Sequence, residues 1–97
     1  MNVVAKRTLQ AFWTIHPQAQ GPLISWYAHA SKAEWRTPQD IKDDFRSVDF
    51  VGDNRVIFDV GGDNYRLVAR ISYIYKQVLV KFVGTHKEYD KINPETI

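Results

Sequence analysis

The sequence predicts an α+β fold: an N-terminal helical hairpin packed on a small antiparallel β-sheet, closed by a short C-terminal helix or turn. Two observations carry this. Apolar residues recur at helical spacing through the first 45 residues, then alternate at strand spacing from Arg55 to Val83. A strong turn signal, Gly61-Gly62-Asp63-Asn64, divides the alternating half. The chain of 97 residues has the size of one domain, and residues 1–97 are read as one.

Met1 to Lys6 can form a short edge strand. Leu9, Phe12 and Trp13 then follow i, i+3, i+4 spacing, which predicts a helix over Arg7 to Ile15. His16-Pro17 ends it, because a residue before proline avoids helical geometry. Gly21-Pro22 restarts a helix with proline at its first position, and Leu23, Trp26, Tyr27 and Ala30 carry it to about Glu34. Thr37-Pro38-Gln39-Asp40 predicts a third start, with Thr37 as N-cap and an acid in the first turn. Ser47 to Gly52 reads as loop.

Arg55 to Val60 reads as a strand, and Tyr65 to Tyr75 as a longer one. On the latter, Tyr65, Leu67, Ala69, Ile71 and Tyr73 share one face, and Arg66, Val68, Arg70 and Ser72 the other. Val78 to Val83 is a third strand, with Val78, Val80 and Phe82 on one face and Leu79, Lys81 and Val83 on the other. Thr85 and Glu88 are spaced as a capping box, which predicts a turn or short helix from Thr85 to Asp90. One face of such a sheet packs on the helices. The other, carrying Arg66, Arg70 and Lys81, is expected to lie open as a basic surface for nucleic acid.

Composition narrows the chemistry. There is no cysteine, which excludes a disulfide framework, a cysteine-zinc site and a thiol nucleophile, and fits a cytoplasmic protein. No signal peptide or membrane segment is present in the sequence. The net charge is +2 with a pI near 9.0, which permits nucleic-acid binding without demanding it. From Asn64 onward there are six basic and three acidic residues, so a phosphate-attracting surface is expected there.

The three histidines, His16, His29 and His86, show no metal-ligand spacing, and no cofactor motif is present. His16 reads as a surface residue at a helix end and His29 as a helical surface residue. Arg66, in the middle of the meander, must pair with an acid or face an open surface, and the two readings weigh equally. His86, Lys87 and Tyr89 place three proton-handling or phosphate-binding groups on one short segment. His, Tyr, Lys and Arg suffice for RNA backbone cleavage by 2′-oxygen attack. That reaction needs a base, an acid for the leaving 5′-oxygen, and positive charge on the phosphorane.

Asp59-Val60-Gly61-Gly62-Asp63-Asn64-Tyr65-Arg66-Leu67-Val68 and Thr85-His86-Lys87-Glu88-Tyr89-Asp90 closely resemble the HigB toxins, mRNA interferases paired with HigA antitoxins. The opening Val4-Ala5-Lys6-Arg7-Thr8-Leu9 and the stretch from Trp35 to Phe45 fit as well. The resemblance extends over nearly the whole chain and, through HigB, to the RelE-like toxins. It implies a metal-independent endoribonuclease acting on mRNA, in the ribosomal A site, held inactive by a helix-turn-helix antitoxin of HigA type. Operator DNA would be bound only through the antitoxin complex. It also implies that Arg66 meets the scissile phosphate, that His86 fills the place of a basic residue after the last strand, and that Tyr89 is the nearest match to a catalytic tyrosine. The RelE lysine pair on the preceding strand is missing, since Arg55-Val56-Ile57-Phe58-Asp59 has only Arg55 as a base, and this shifts more of the work to His86. Arg55, Arg70, Lys81 and Lys87 are the expected RNA- or phosphate-binding residues. The alternative is a non-catalytic RNA- or protein-binding module on the same fold.

Overall fold

The computed structural model describes residues 1–97. Strands β1 (Asn2–Val4), β2 (Asp49–Val51), β3 (Arg55–Val60), β4 (Tyr65–Ser72) and β5 (Gln77–Thr85) form one sheet in the order β1-β5-β4-β3-β2. β1 runs parallel to β5 and the other pairs are antiparallel. Helices α1 (Lys6–Ile15), α2 (Gln20–Lys32) and α3 (Pro38–Asp44) lie between β1 and β2 in the chain, and α4 (His86–Tyr89) follows β5. No helix is long and apolar enough to cross a membrane.

The helices bury their apolar stripes on one face of the sheet. Leu9, Phe12, Leu23, Trp26 and Ile41 meet Val56, Phe58, Leu67, Ala69 and Ile71 in one core cluster. Aromatics fill its centre: Trp26 and Phe45 both stand edge-on to Phe58, with ring centroids 5.3 and 5.2 Å apart. Thr37 caps α3 through a reciprocal capping box with Asp40. Helix α2 begins two residues earlier than its Gly21-Pro22 signal, after a 3-10 turn at Pro17–Ala19. Pro22 therefore falls at its third position, where the missing N–H still costs no helical hydrogen bond.

The structure corrects three expectations. First, residues 49–51 are an edge strand, not loop, paired to Ile57, Val56 and Arg55 of β3. Three residues are too few to show a period. Second, the faces of β5 are not constant. Ala69 pairs with Val80 and Val68 with Phe82, so Lys81 is an unpaired bulge residue. Alternation flips there: Val78, Val80 and Val83 pack on the core, while Phe82 faces the opposite side. Third, that opposite side is not an open basic surface. Ile57 and Val68 are paired across β3 and β4 yet only 5% and 0% exposed, and neither belongs to the main core. The C-terminal segment lies on this side. Phe82 meets Tyr89 at 6.5 Å between rings, Glu95 approaches Gly52, and Ile97 reaches Arg55.

Candidate active site

Gly61 and Gly62 both adopt positive φ, at 65° and 67°, and so turn β3 directly into β4. The turn fixes the register: Val60 faces Tyr65 and Asp59 faces Arg66. Asp59 and Arg66 therefore project from neighbouring strands on the same face. Arg66 Nη1 donates to Asp59 Oδ1 and lies 3.7 Å from Asp63 Oδ1. Both carboxylates are met by the same nitrogen. The Nε and Nη2 donors remain for another acceptor, and the Arg66 side chain is 21% exposed. A guanidinium so placed can fork onto a phosphate while Asp59 holds its plane.

On its other strand neighbour Arg66 faces Gly84. A Cβ at Gly84 would lie 2.5 Å from Phe82 Cζ and 3.1 Å from Glu88 Cβ, so only glycine leaves room for the ring and for α4. The helix α4 starts immediately after, capped by Thr85, whose side chain accepts from the Glu88 N–H while Glu88 accepts from the Thr85 N–H. This places half-buried His86 at the first helical position and brings the Tyr89 ring to 5.9 Å from Arg66 Cζ. Burial pushes the Tyr89 phenol above its usual 10.0; Arg66 pulls it back in part, and Asp49 and Asp90 push it further up. At neutral pH Tyr89 is thus a proton-bearing donor and not a base.

The remaining candidates disperse. Lys87 is exposed on α4. Lys81 stands on the β5 bulge and lines a shallow groove with Lys6 and Arg7, beside β1. Arg55 and Arg70 pair with each other across the far end of β3 and β4. Arg70 is exposed, 3.4 Å from Asp53 Oδ1. Arg55 is 7% exposed, with Nη1 on Asp53 Oδ2 at 2.7 Å and Nη2 on the Ile97 main-chain oxygen at 2.5 Å. Its terminal nitrogens are engaged inside the protein, and it anchors the C-terminal segment. The structure thus brings Arg66, His86 and Tyr89 to one end of the sheet and leaves Arg55, Arg70 and Lys81 elsewhere.

One residue at this end did not emerge as a site residue from sequence. Asp59 could have been found by counting back from the Gly61-Gly62 turn, which dictates its pairing with Arg66. His16 lies on the helical side, its ring stacked on Phe12 at 4.5 Å and 6.4 Å from the ring of Tyr65, both members of the main core. His29 is also held on the helical side, 3.2 Å from Asp44, which also accepts from Trp35 Nε1 at 2.8 Å.

Residues 19–92 match the family described as HigB toxin, the RelE-like toxic component of a toxin–antitoxin system. The chain is 30% identical over 94 residues to the mRNA interferase HigB of Escherichia coli O6:H1, covering 95% of this chain and 91% of that protein. It is 28% identical over 92 residues to the mRNA interferase toxin HigB of Escherichia coli K12, covering 93% and 88%. The mRNA interferase HigB of Shigella flexneri is similar to the same degree, 28% over 92 residues.

Proposed function

Because the chain belongs to the HigB family of RelE-like toxins, we propose that it is an endoribonuclease that cuts mRNA by attack of a 2′-hydroxyl on the adjacent phosphate. The observation that carries this reading is Arg66. It is fixed by Asp59, has two unengaged donor positions, and sits at the sheet end from which the His86 helix departs.

In this scheme the Arg66 guanidinium binds the scissile phosphate and offsets the charge that builds on its oxygens. His86 takes the 2′-hydroxyl proton as general base. Tyr89, kept protonated by its surroundings, donates a hydrogen bond toward the phosphate and limits the freedom of Arg66 by lying against it. Lys87, exposed on the same helix, adds charge for the RNA backbone, and Arg70 and Lys81 serve flanking phosphates at the periphery. The departing 5′-oxygen takes its proton from water. The family places the chain with an antitoxin partner. We take that partner to be a helix-turn-helix protein of HigA type, which would carry the pair to operator DNA. A net charge of only +2 gathers RNA weakly, which favours cutting on the ribosome, where mRNA is already presented.

The test is to incubate purified protein with mRNA, with and without ribosomes, and to map the 5′ ends. Discrete cuts by the wild type, lost in Arg66→Ala and His86→Ala variants that still bind antitoxin, support the reading. Salt-dependent RNA binding with every strand left intact would favour a non-catalytic module instead.

A further inference from the structure

We propose that Phe82 is a substrate-binding residue: its ring stacks on the nucleobase next to the scissile phosphate and so sets that phosphate against Arg66. The inference rests on the ribonuclease reading of this site and names what holds the RNA there besides charge.

Strand alternation alone would send Phe82 inward. Val78 and Val80 pack on the helical core, and Phe82 is next in that series. The bulge at Lys81 diverts it. Val80 pairs with Ala69 of the core face, whereas Phe82 pairs with Val68 of the opposite face. Bulges beside active sites re-aim side chains in this way. Phe82 thereby leaves the main core and joins the face that carries Asp59 and Arg66. It stays half-buried there, although a phenyl ring gains most from full burial.

Two further features fit the ring to the place of Arg66. It lies over Gly84, the strand partner of Arg66, where a Cβ would stand 2.5 Å from Phe82 Cζ. A side chain at position 84 would displace the ring. Tyr89 completes the group, 6.5 Å from the Phe82 ring and 5.9 Å from Arg66 Cζ. The two rings meet at 54°, so Tyr89 does not lie face to face on Phe82 as a stacked partner would. Neighbouring strands lie about 4.8 Å apart, so the phosphate and base of one nucleotide can reach both Arg66 and the ring over Gly84. A cation for the backbone beside a ring for the base is the pairing that single-stranded nucleic-acid sites use. Stacking grips any base, so Phe82 positions the strand without dictating its sequence.

The experiment crosses a protein change with a substrate change, under the conditions in which the wild type cuts. It uses mRNAs in which one nucleotide, on the 5′ or the 3′ side of a mapped cut, lacks its base. Phe82→Leu is expected to raise KM for ordinary RNA about 10- to 100-fold with kcat little changed, and Phe82→Tyr, which keeps a ring, to stay near wild type. At one of the two positions the missing base should cost the wild type a similar factor, and on that RNA Phe82→Leu and wild type should cut alike. A purely structural role for Phe82 would make the two losses multiply, and multiplied losses at both positions overturn the proposal. A wild type indifferent to the missing base at both positions overturns it without any variant. Normal cutting by Phe82→Leu with weakened antitoxin binding would give the ring to the protein partner and also overturn it. If the wild type cuts no RNA, the ribonuclease reading falls and the proposal with it.

Discussion

Two arginine–aspartate pairs stand at opposite ends of the same two strands, and they have opposite surroundings. At one end Arg55 is nearly sealed: Asp53 and the Ile97 main-chain oxygen hold its terminal nitrogens, and the C-terminal segment closes over it. At the other end Arg66 shares one nitrogen between Asp59 and Asp63, keeps the rest of its guanidinium available, and has Tyr89 against it, with the His86 helix starting two residues beyond its strand partner Gly84. The same charge pair is a fastening in one place and a reagent in the other. What separates them is access: the Arg55 side chain is 8% exposed and that of Arg66 21%, with only one Arg66 nitrogen engaged. A buried guanidinium is out of reach of a phosphate, and a partly exposed one held by a carboxylate is oriented without being used up.

The comparison can be broken most sharply at Arg66. Arg66→Ala is expected to reduce cleavage by about 1,000-fold, the scale of losing a charged stabiliser of the transition state, with the far-UV spectrum unchanged. Arg55→Ala should do the reverse. Loss of a buried pairing and of the anchor for the C-terminal segment should destabilise by about 2–4 kcal/mol, while activity persists well below the melting temperature. Denaturant unfolding of the two variants side by side checks this, and a large stability loss in Arg66→Ala with none in Arg55→Ala would reverse the assignments.

Gly84→Ala comes next. The added methyl meets Phe82 and Glu88, so about 1–3 kcal/mol of strain is expected. Since both neighbours belong to the reactive end, cleavage at low temperature should fall as well, in contrast to Arg55→Ala. The smallest effect concerns acid. Asp53 is held below its usual 3.8, first by the Arg55 hydrogen bond and then by Arg70. A carboxyl depressed in the folded state adds stability that is complete above its unfolded value, about 3.9, and lost as pH falls through the folded one. Melting temperature should therefore drop below about pH 4, and more gently in Asp53→Asn. An identical acid slope in that variant would show that the pair contributes nothing.

Much of this molecule was legible in its sequence, and the gaps have specific causes. The strand from Arg55 to Val60, the Thr37-Pro38 helix start and the Gly61-Gly62 turn are local, and local chemistry sufficed. The faces of β5 were misread after Lys81, because one bulge residue inverts a two-residue period without any mark in composition. The covered back of the sheet was missed because the C-terminal segment offers only Ile92, Pro94 and Ile97 as apolar contacts, too sparse a pattern to signal a second small core. At the site, Arg66 stood out by its place in a strand, and its partner Asp59 follows from the turn.

The central claim is that the Arg66 end of the sheet breaks RNA by internal attack of the 2′-oxygen. It is tested most directly by the chemistry of the ends left on an mRNA cut by purified protein, with Arg66→Ala beside it. Fragments from the wild type should carry 5′-hydroxyl and 2′,3′-cyclic phosphate ends, and Arg66→Ala should leave the RNA whole. Fragments with 5′-phosphate ends, or equal cutting by both proteins, would contradict the account.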